Sequence, residues 1–138
     1  MKTNAGLREM LDRLGCRAPI RFTRIRFPYS AEGLCIPGVG IFIDEKYRTI
    51  PEPYLKAVVC HEVGHWRDPL VWLSLPVIPA LLLALYALAA TGGLVFLWVI
   101  YGLLAAGYFV GRWKERRADA AARCLMPEYD EFDKPYPG

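Results

Sequence analysis

The sequence predicts an α+β fold: a small β-sheet, a helix carrying an HExxH motif and a second helix carrying a further carboxylate, with an apolar two-helix hairpin inserted between the two helices. Three observations carry this. Short alternating runs punctuated by Pro and Gly fall in the first third of the chain. His61-Glu62-Val63-Gly64-His65 sits in a helix-like stretch, and from Pro69 to Gly111 there is no Lys, Arg, Asp, Glu or His. The 138 residues suffice for one compact unit, read as a single domain over 1–138 with the hairpin at 70–111.

Composition points to segregation rather than blending, since hydrophobic residues make up 54% while charged residues still reach 22%. The net charge of +3 is too modest to argue for nucleic acid. The basic and aromatic residues Arg21, Phe22, Arg24, Arg26 and Phe27 alternate, as a strand with one wet face does. The four cysteines, Cys16, Cys35, Cys60 and Cys124, form no CxxC pair, which suits reduced thiols better than a disulfide framework. The charged start of the chain reads as an amphipathic helix rather than a signal peptide.

Residues 4–15 place Leu7, Met10, Leu11 and Leu14 at helical spacing, with Gly15 as C-cap. Residues 20–27, 33–36 and 39–44 read as strands, the last two joined by a Pro37-Gly38 turn. Pro51-Glu52-Pro53 starts a helix expected over 53–66, and Asp68-Pro69 ends it. Next come 21 residues at 70–90 and 18 at 93–110, separated by Thr91-Gly92-Gly93. Each approaches the roughly 20 residues that cross a hydrocarbon core. The expectation is therefore a two-span membrane hairpin with the bilayer as partner. Arg67 on one side and Arg112, Lys114, Arg116 and Arg117 on the other place both termini and the site in the cytoplasm. The segment after Pro127 reads as a loosely ordered tail.

The strongest chemical signal is HEVGH. Residues i and i+4 share one helical face, so His61 and His65 can converge on a tetrahedral zinc. Glu62, one residue round, can take a proton from a water activated there. Two histidines leave such a site one protein ligand short, and the chain has no third histidine. Directly after the hairpin, Glu115 and Asp119 again stand at i and i+4, with Glu115 as the third ligand and Asp119 as acceptor for a ligand imidazole. A tight hairpin returns Glu115 to the neighbourhood of the histidines.

HEVGH, then an apolar hairpin, then Glu115-Arg116-Arg117-Ala118-Asp119 resembles the gluzincin metalloproteases, in particular the membrane-bound group of the bacterial heat-shock HtpX proteases and the CAAX prenyl endopeptidases, in a minimal form. The resemblance implies one zinc ion per chain held by His61, His65 and Glu115, Glu62 as general base, and Asp119 orienting a histidine, His61 being favoured. It implies a polypeptide substrate pairing with an edge strand at Gly40, Ile41, Phe42 and Ile43, and hydrolysis of its peptide bonds. Relatives of this kind use a further side chain on the oxyanion, for which Arg123 is the candidate here, with Tyr129 and Tyr136 behind it. Two other readings stand beside the peptidase: a catalytically inactive zinc-binding regulator of the same fold, and a structural or holin-like hairpin protein in which HEVGH is incidental.

Overall fold

The computed structural model describes residues 2–25, 32–91, 94–134 and 136, without the side chains of residues 73–77, 80, 91 and 94–96. Helix α1 (Asn4–Arg13) is followed by strands β1 (Ile20–Thr23), β2 (Gly33–Ile36) and β3 (Gly40–Asp44), a single 3-10 turn (Glu45–Arg48), and helices α2 (Glu52–Arg67), α3 (Pro69–Thr91), α4 (Leu94–Leu125) and α5 (Tyr129–Phe132). The end of the first expected strand, at residues 26 and 27, and the Gly92-Gly93 turn lie outside the described residues.

The three strands form one sheet in the order β1-β3-β2. β2 and β3 make an antiparallel hairpin, with Gly33 opposite Ile43 and Ile36 opposite Gly40. Gly38 takes a φ of 77° in the connecting turn, a conformation open to glycine at little cost. β1 lies parallel to β3 on its other side, with Ile20 opposite Ile41 and Phe22 opposite Ile43. β3 is therefore the central strand, with both edges hydrogen-bonded. This corrects the assignment of Gly40, Ile41, Phe42 and Ile43 as an edge that could receive a substrate strand. The outer strand on that side is β2.

Period-2 alternation sends Ile41 and Ile43 to the helical side, where they join Phe22, Leu7 and Leu11 of α1, and Leu55, Val59 and Val63 of α2 in one buried cluster. The i, i+4, i+8 stripe Leu55–Val59–Val63 is the face of α2 that rests on the sheet. Phe42 points the other way and is covered by the Arg21 guanidinium 4.9 Å from its ring centre. A second stripe of α2, Ala57 and Cys60, packs with Ala122 and Met126 and with Tyr129 of α5.

Gly64 explains how closely α2 and α4 approach. A Cβ there would lie 2.8 Å from the Ala118 carbonyl oxygen and 2.9 Å from its Cα. Glycine on one helix and alanine on the other let the two backbones touch. The junction is clamped by Asp68. Its carboxylate accepts from Arg117 Nε at 2.9 Å and Nη2 at 3.3 Å, and from the Leu70 amide at 3.0 Å in the first turn of α3. Burial alone would raise the Asp68 pKa, but Arg117 and the Leu70 amide outweigh it and hold the carboxyl below its ordinary value.

The uncharged segment does fold back as a helical hairpin. Among the described residues, however, no helix is long and apolar enough to cross a membrane. The expectation had counted residues without charge. α4 continues past the uncharged segment through Arg112, Lys114, Glu115, Arg116 and Arg117 to Leu125. The two transmembrane spans at 70–111, and the placement of site and termini that was drawn from them, are corrected accordingly. The apolar hairpin and the Glu115 helix are also not separate elements, because α4 is both. The tail is corrected too: α5 is docked, with Tyr129 only 1% exposed and Phe132 edge-on to Tyr54 at 5.1 Å.

Candidate metal centre

α2 presents His61 and His65 one turn apart toward the charged part of α4, and Glu115 meets them there. The His61 and His65 Nε2 atoms are 3.1 Å apart. Glu115 Oε2 lies 3.2 Å from His61 Nε2, and Oε1 lies 3.5 Å from His65 Nε2. Donors about 2.0–2.1 Å from a tetrahedral ion stand roughly 3.3–3.4 Å from one another, so the spacing suits one small divalent cation. His61, His65 and Glu115 form a group that could hold a metal ion.

The hydrogen-bond arithmetic points the same way. His61 Nδ1 lies 2.9 Å from Asp119 Oδ1, an acceptor, so this nitrogen carries the proton and leaves Nε2 with a bare lone pair. That lone pair faces a second imidazole nitrogen and a carboxylate. The bare His61 Nε2 and the Glu115 carboxylate repel one another unless a cation, or a proton such as one on His65 Nε2, lies between them. The shifts express this. Burial would lower the His61 pKa, but Glu115, Glu62 and Asp119 outweigh it and raise it to about 9. The same two imidazoles hold Glu115 far below the usual carboxylate range.

Glu62 sits beside this group without belonging to it. Its side chain is buried against β2, where Gly33 leaves it room: a Cβ on Gly33 would lie 2.6 Å from Glu62 Oε1. Burial raises the Glu62 carboxyl to about 7, against the pull of His61 and His65. A buried carboxylate near neutral pKa beside a metal group is what proton transfer at neutral pH requires.

The cleft over the site encloses about 550 Å³ and is lined by Gly33, Leu34 and Cys35 of β2, by Val58, His61, Glu62 and His65 of α2, and by Lys114 and Glu115 of α4. A cavity of similar size, about 590 Å³, lies between α1 and α2 and contains no histidine. Size alone does not identify the site; the converging donors do. Cys35 lines the cleft but does not belong to the His61, His65 and Glu115 group; burial and Glu62 push its thiol up to about 12. Cys60, next to His61 in sequence, is fully buried between α2 and α4, and burial raises it to about 11.

Four residues named from the sequence thus meet at one point: His61, His65 and Glu115, with Asp119 behind His61. Glu62 adjoins them. Arg123 does not. It pairs with Asp130 at 2.8 Å beside the Tyr129 ring and is not among the residues lining the cleft, which corrects its assignment to the oxyanion. Lys114 is the one ammonium among the described lining residues, and its position next to Glu115 was the available signal. Tyr129, named from the sequence only as an oxyanion candidate, stands instead behind the imidazole, its hydroxyl 3.1 Å from His61 Nδ1 and 3.0 Å from Asp119 Oδ1. No family model matches the chain, and neither a curated protein nor a solved structure shows a significant match to it.

Proposed function

We propose that the chain is a zinc-dependent endopeptidase of the gluzincin type. The observation that carries this reading is the placement of a buried Glu62 carboxylate beside a His-His-Glu donor group in an open cleft. Imidazole and carboxylate donors at tetrahedral spacing favour zinc among the common divalent ions. His61 and His65, through Nε2, and Glu115, through its carboxylate, would hold it. When bound, the ion would polarise a carbonyl and lower the pKa of water.

The chain's own groups supply the rest. Glu62 accepts a proton from the attacking water as the new C–O bond forms. It delivers that proton to the leaving nitrogen as the C–N bond breaks. Asp119 keeps the His61 proton on Nδ1, so that Nε2 stays available to the metal. Lys114 is the cationic side chain in the cleft that could meet negative charge developing on the carbonyl oxygen. The substrate is an extended polypeptide laid along the outer edge of β2, which takes the place first given to β3.

The test is Glu62→Gln. Purified variant and wild type should each carry close to one zinc per chain by elemental analysis. Hydrolysis of an unfolded protein such as casein should fall by about 10²–10⁴-fold. Full turnover by the variant would remove Glu62 from the mechanism. Zinc binding without hydrolysis in the wild type would favour the inactive regulator.

A further inference from the structure

The segment after α4 reaches the Nδ1 side of His61. α4 stops at Leu125, the chain turns through Met126, and α5 inserts Tyr129 into the interior. The Tyr129 hydroxyl there touches three polar atoms: His61 Nδ1 at 3.1 Å, Asp119 Oδ1 at 3.0 Å and Asp133 Oδ1 at 2.7 Å. Two protons serve this cluster, one on His61 Nδ1 and one on the hydroxyl. The acceptors are two carboxylates and the phenolic oxygen itself. The imidazole proton is shared between Asp119 and the phenolic oxygen. The hydroxyl proton goes on to the carboxylates, with Asp133 the nearer. The orientation of His61, and hence the direction of its Nε2 lone pair, is set by this group and not by Asp119 alone.

We infer that Tyr129 is a positioning residue of the metal centre, acting with Asp119 on His61, so that the hook formed by residues 126–133 sets how tightly the site holds its metal. This rests on reading His61, His65 and Glu115 as metal ligands. The hook is well placed for the task. Tyr54 on α2 receives Phe132 edge-on at 5.1 Å and Tyr136 at 5.0 Å, and Arg123 ties Asp130 back to α4 at 2.8 Å. The hook therefore contacts both helices that carry ligands, and the Tyr129 hydroxyl lies within hydrogen-bond distance of a ligand nitrogen. Removing that hydroxyl should release His61 to rotate while leaving the apolar packing of the ring in place.

The experiment measures zinc affinity of the full chain by competition with a chromophoric chelator, and the visible absorption of the cobalt-substituted protein, in wild type, Tyr129→Phe, Asp133→Asn and Phe132→Leu. Tyr129→Phe should weaken zinc binding by about 10–100-fold, the range for loss of a group supporting a ligand, and should shift the cobalt bands. Asp133→Asn, at an exposed position where folding is not at stake, should weaken it less but in the same direction. Phe132→Leu loosens the hook but keeps the hydroxyl. A merely structural hook predicts that it matches Tyr129→Phe, whereas a positioning role predicts nearly wild-type affinity. Unchanged affinity and cobalt spectrum in both Tyr129→Phe and Asp133→Asn would overturn the inference while leaving the ligand reading intact. Absence of zinc binding by the wild type would instead overturn the ligand reading, and this inference with it.

Discussion

Two parts of one helix behave in opposite ways. The C-terminal part of α4, which carries the charges, is packed: Ala118 and Ala122 are buried against α2, and Glu115 and Asp119 meet the histidines. The uncharged part before it is the open one. Trp98 is 74% exposed, and Tyr101, Leu104, Tyr108 and Phe109 are also exposed, as are Leu82, Leu83 and Tyr86 on the facing arm α3. Hydropathy alone would assign inside and outside the other way round. What decides is the size of the side chains at the crossing. Small residues at Gly64, Ala118 and Ala122 let backbones approach, and Glu115 and Asp119 find partners across the gap in His61 and His65.

The sharpest way to break this contrast is at Gly64. Gly64→Ala puts a methyl group within 3 Å of the Ala118 backbone. It should force α2 and α4 apart, cost about 1–3 kcal/mol by denaturant unfolding, and reduce zinc retention as Glu115 withdraws. Next in size is the clamp at the junction. Asp68→Asn should cost roughly 1–3 kcal/mol, because it weakens the charge-assisted bonds that Arg117 makes to a buried side chain. It also has a pH signature. The Asp68 pKa is lowered on folding, so its contribution is present above the ordinary value of 3.8 and is lost as pH falls through the folded value. Wild type and Asp68→Asn should therefore converge in stability in that acid range. The smallest effect belongs to the open arm. A Cβ at Gly107 meets nothing within 4 Å. Gly107→Ala should leave zinc binding unchanged and stabilise the helix by about 0.5–1 kcal/mol. A loss there as large as that from Gly64→Ala would erase the contrast.

Much of the site was legible because its logic is local. The i, i+4 spacing of His61 and His65, and again of Glu115 and Asp119, places each pair on one face whatever surrounds it. The need for a third ligand then links the two pairs. The elements were largely legible: α1, β2, β3 and α2 fall near their expected bounds, since periodicity and Pro or Gly punctuation mark them, while β1 stops at Thr23, short of the expected 20–27. Strand order is not a local property, and so β3 was taken for an edge when β1 returns to pair with it. Arg123 shares a helical face with Asp119, but an exposed arginine follows the nearest carboxylate, and Asp130 is contributed by a turn that periodicity does not describe. The contact of Tyr129 with His61 was hidden for a related reason. The burial of Tyr129 comes from the cavity between α2 and α4, which exists only after they have packed. An absence of charge marked the hairpin correctly as helical, yet it could not say how long an apolar surface the described helices present.

The Asp68–Arg117 pair has a further consequence for how the chain assembles. His65 and Glu115 are separated by about fifty residues, and joining the ends of a flexible loop of that length would cost roughly (3/2)RT ln n in chain entropy. Asp68 follows His65 and Arg117 follows Glu115 within one helical turn, so the pair joins the chain beside both residues. Once the two arms have met and Asp68 has taken hold of Arg117, the ligands are next-door neighbours, and the remaining search is local. In folding terms the hairpin turns a distant encounter into a short-range one, so the His61, His65 and Glu115 group can form late, as the last step on a scaffold already closed.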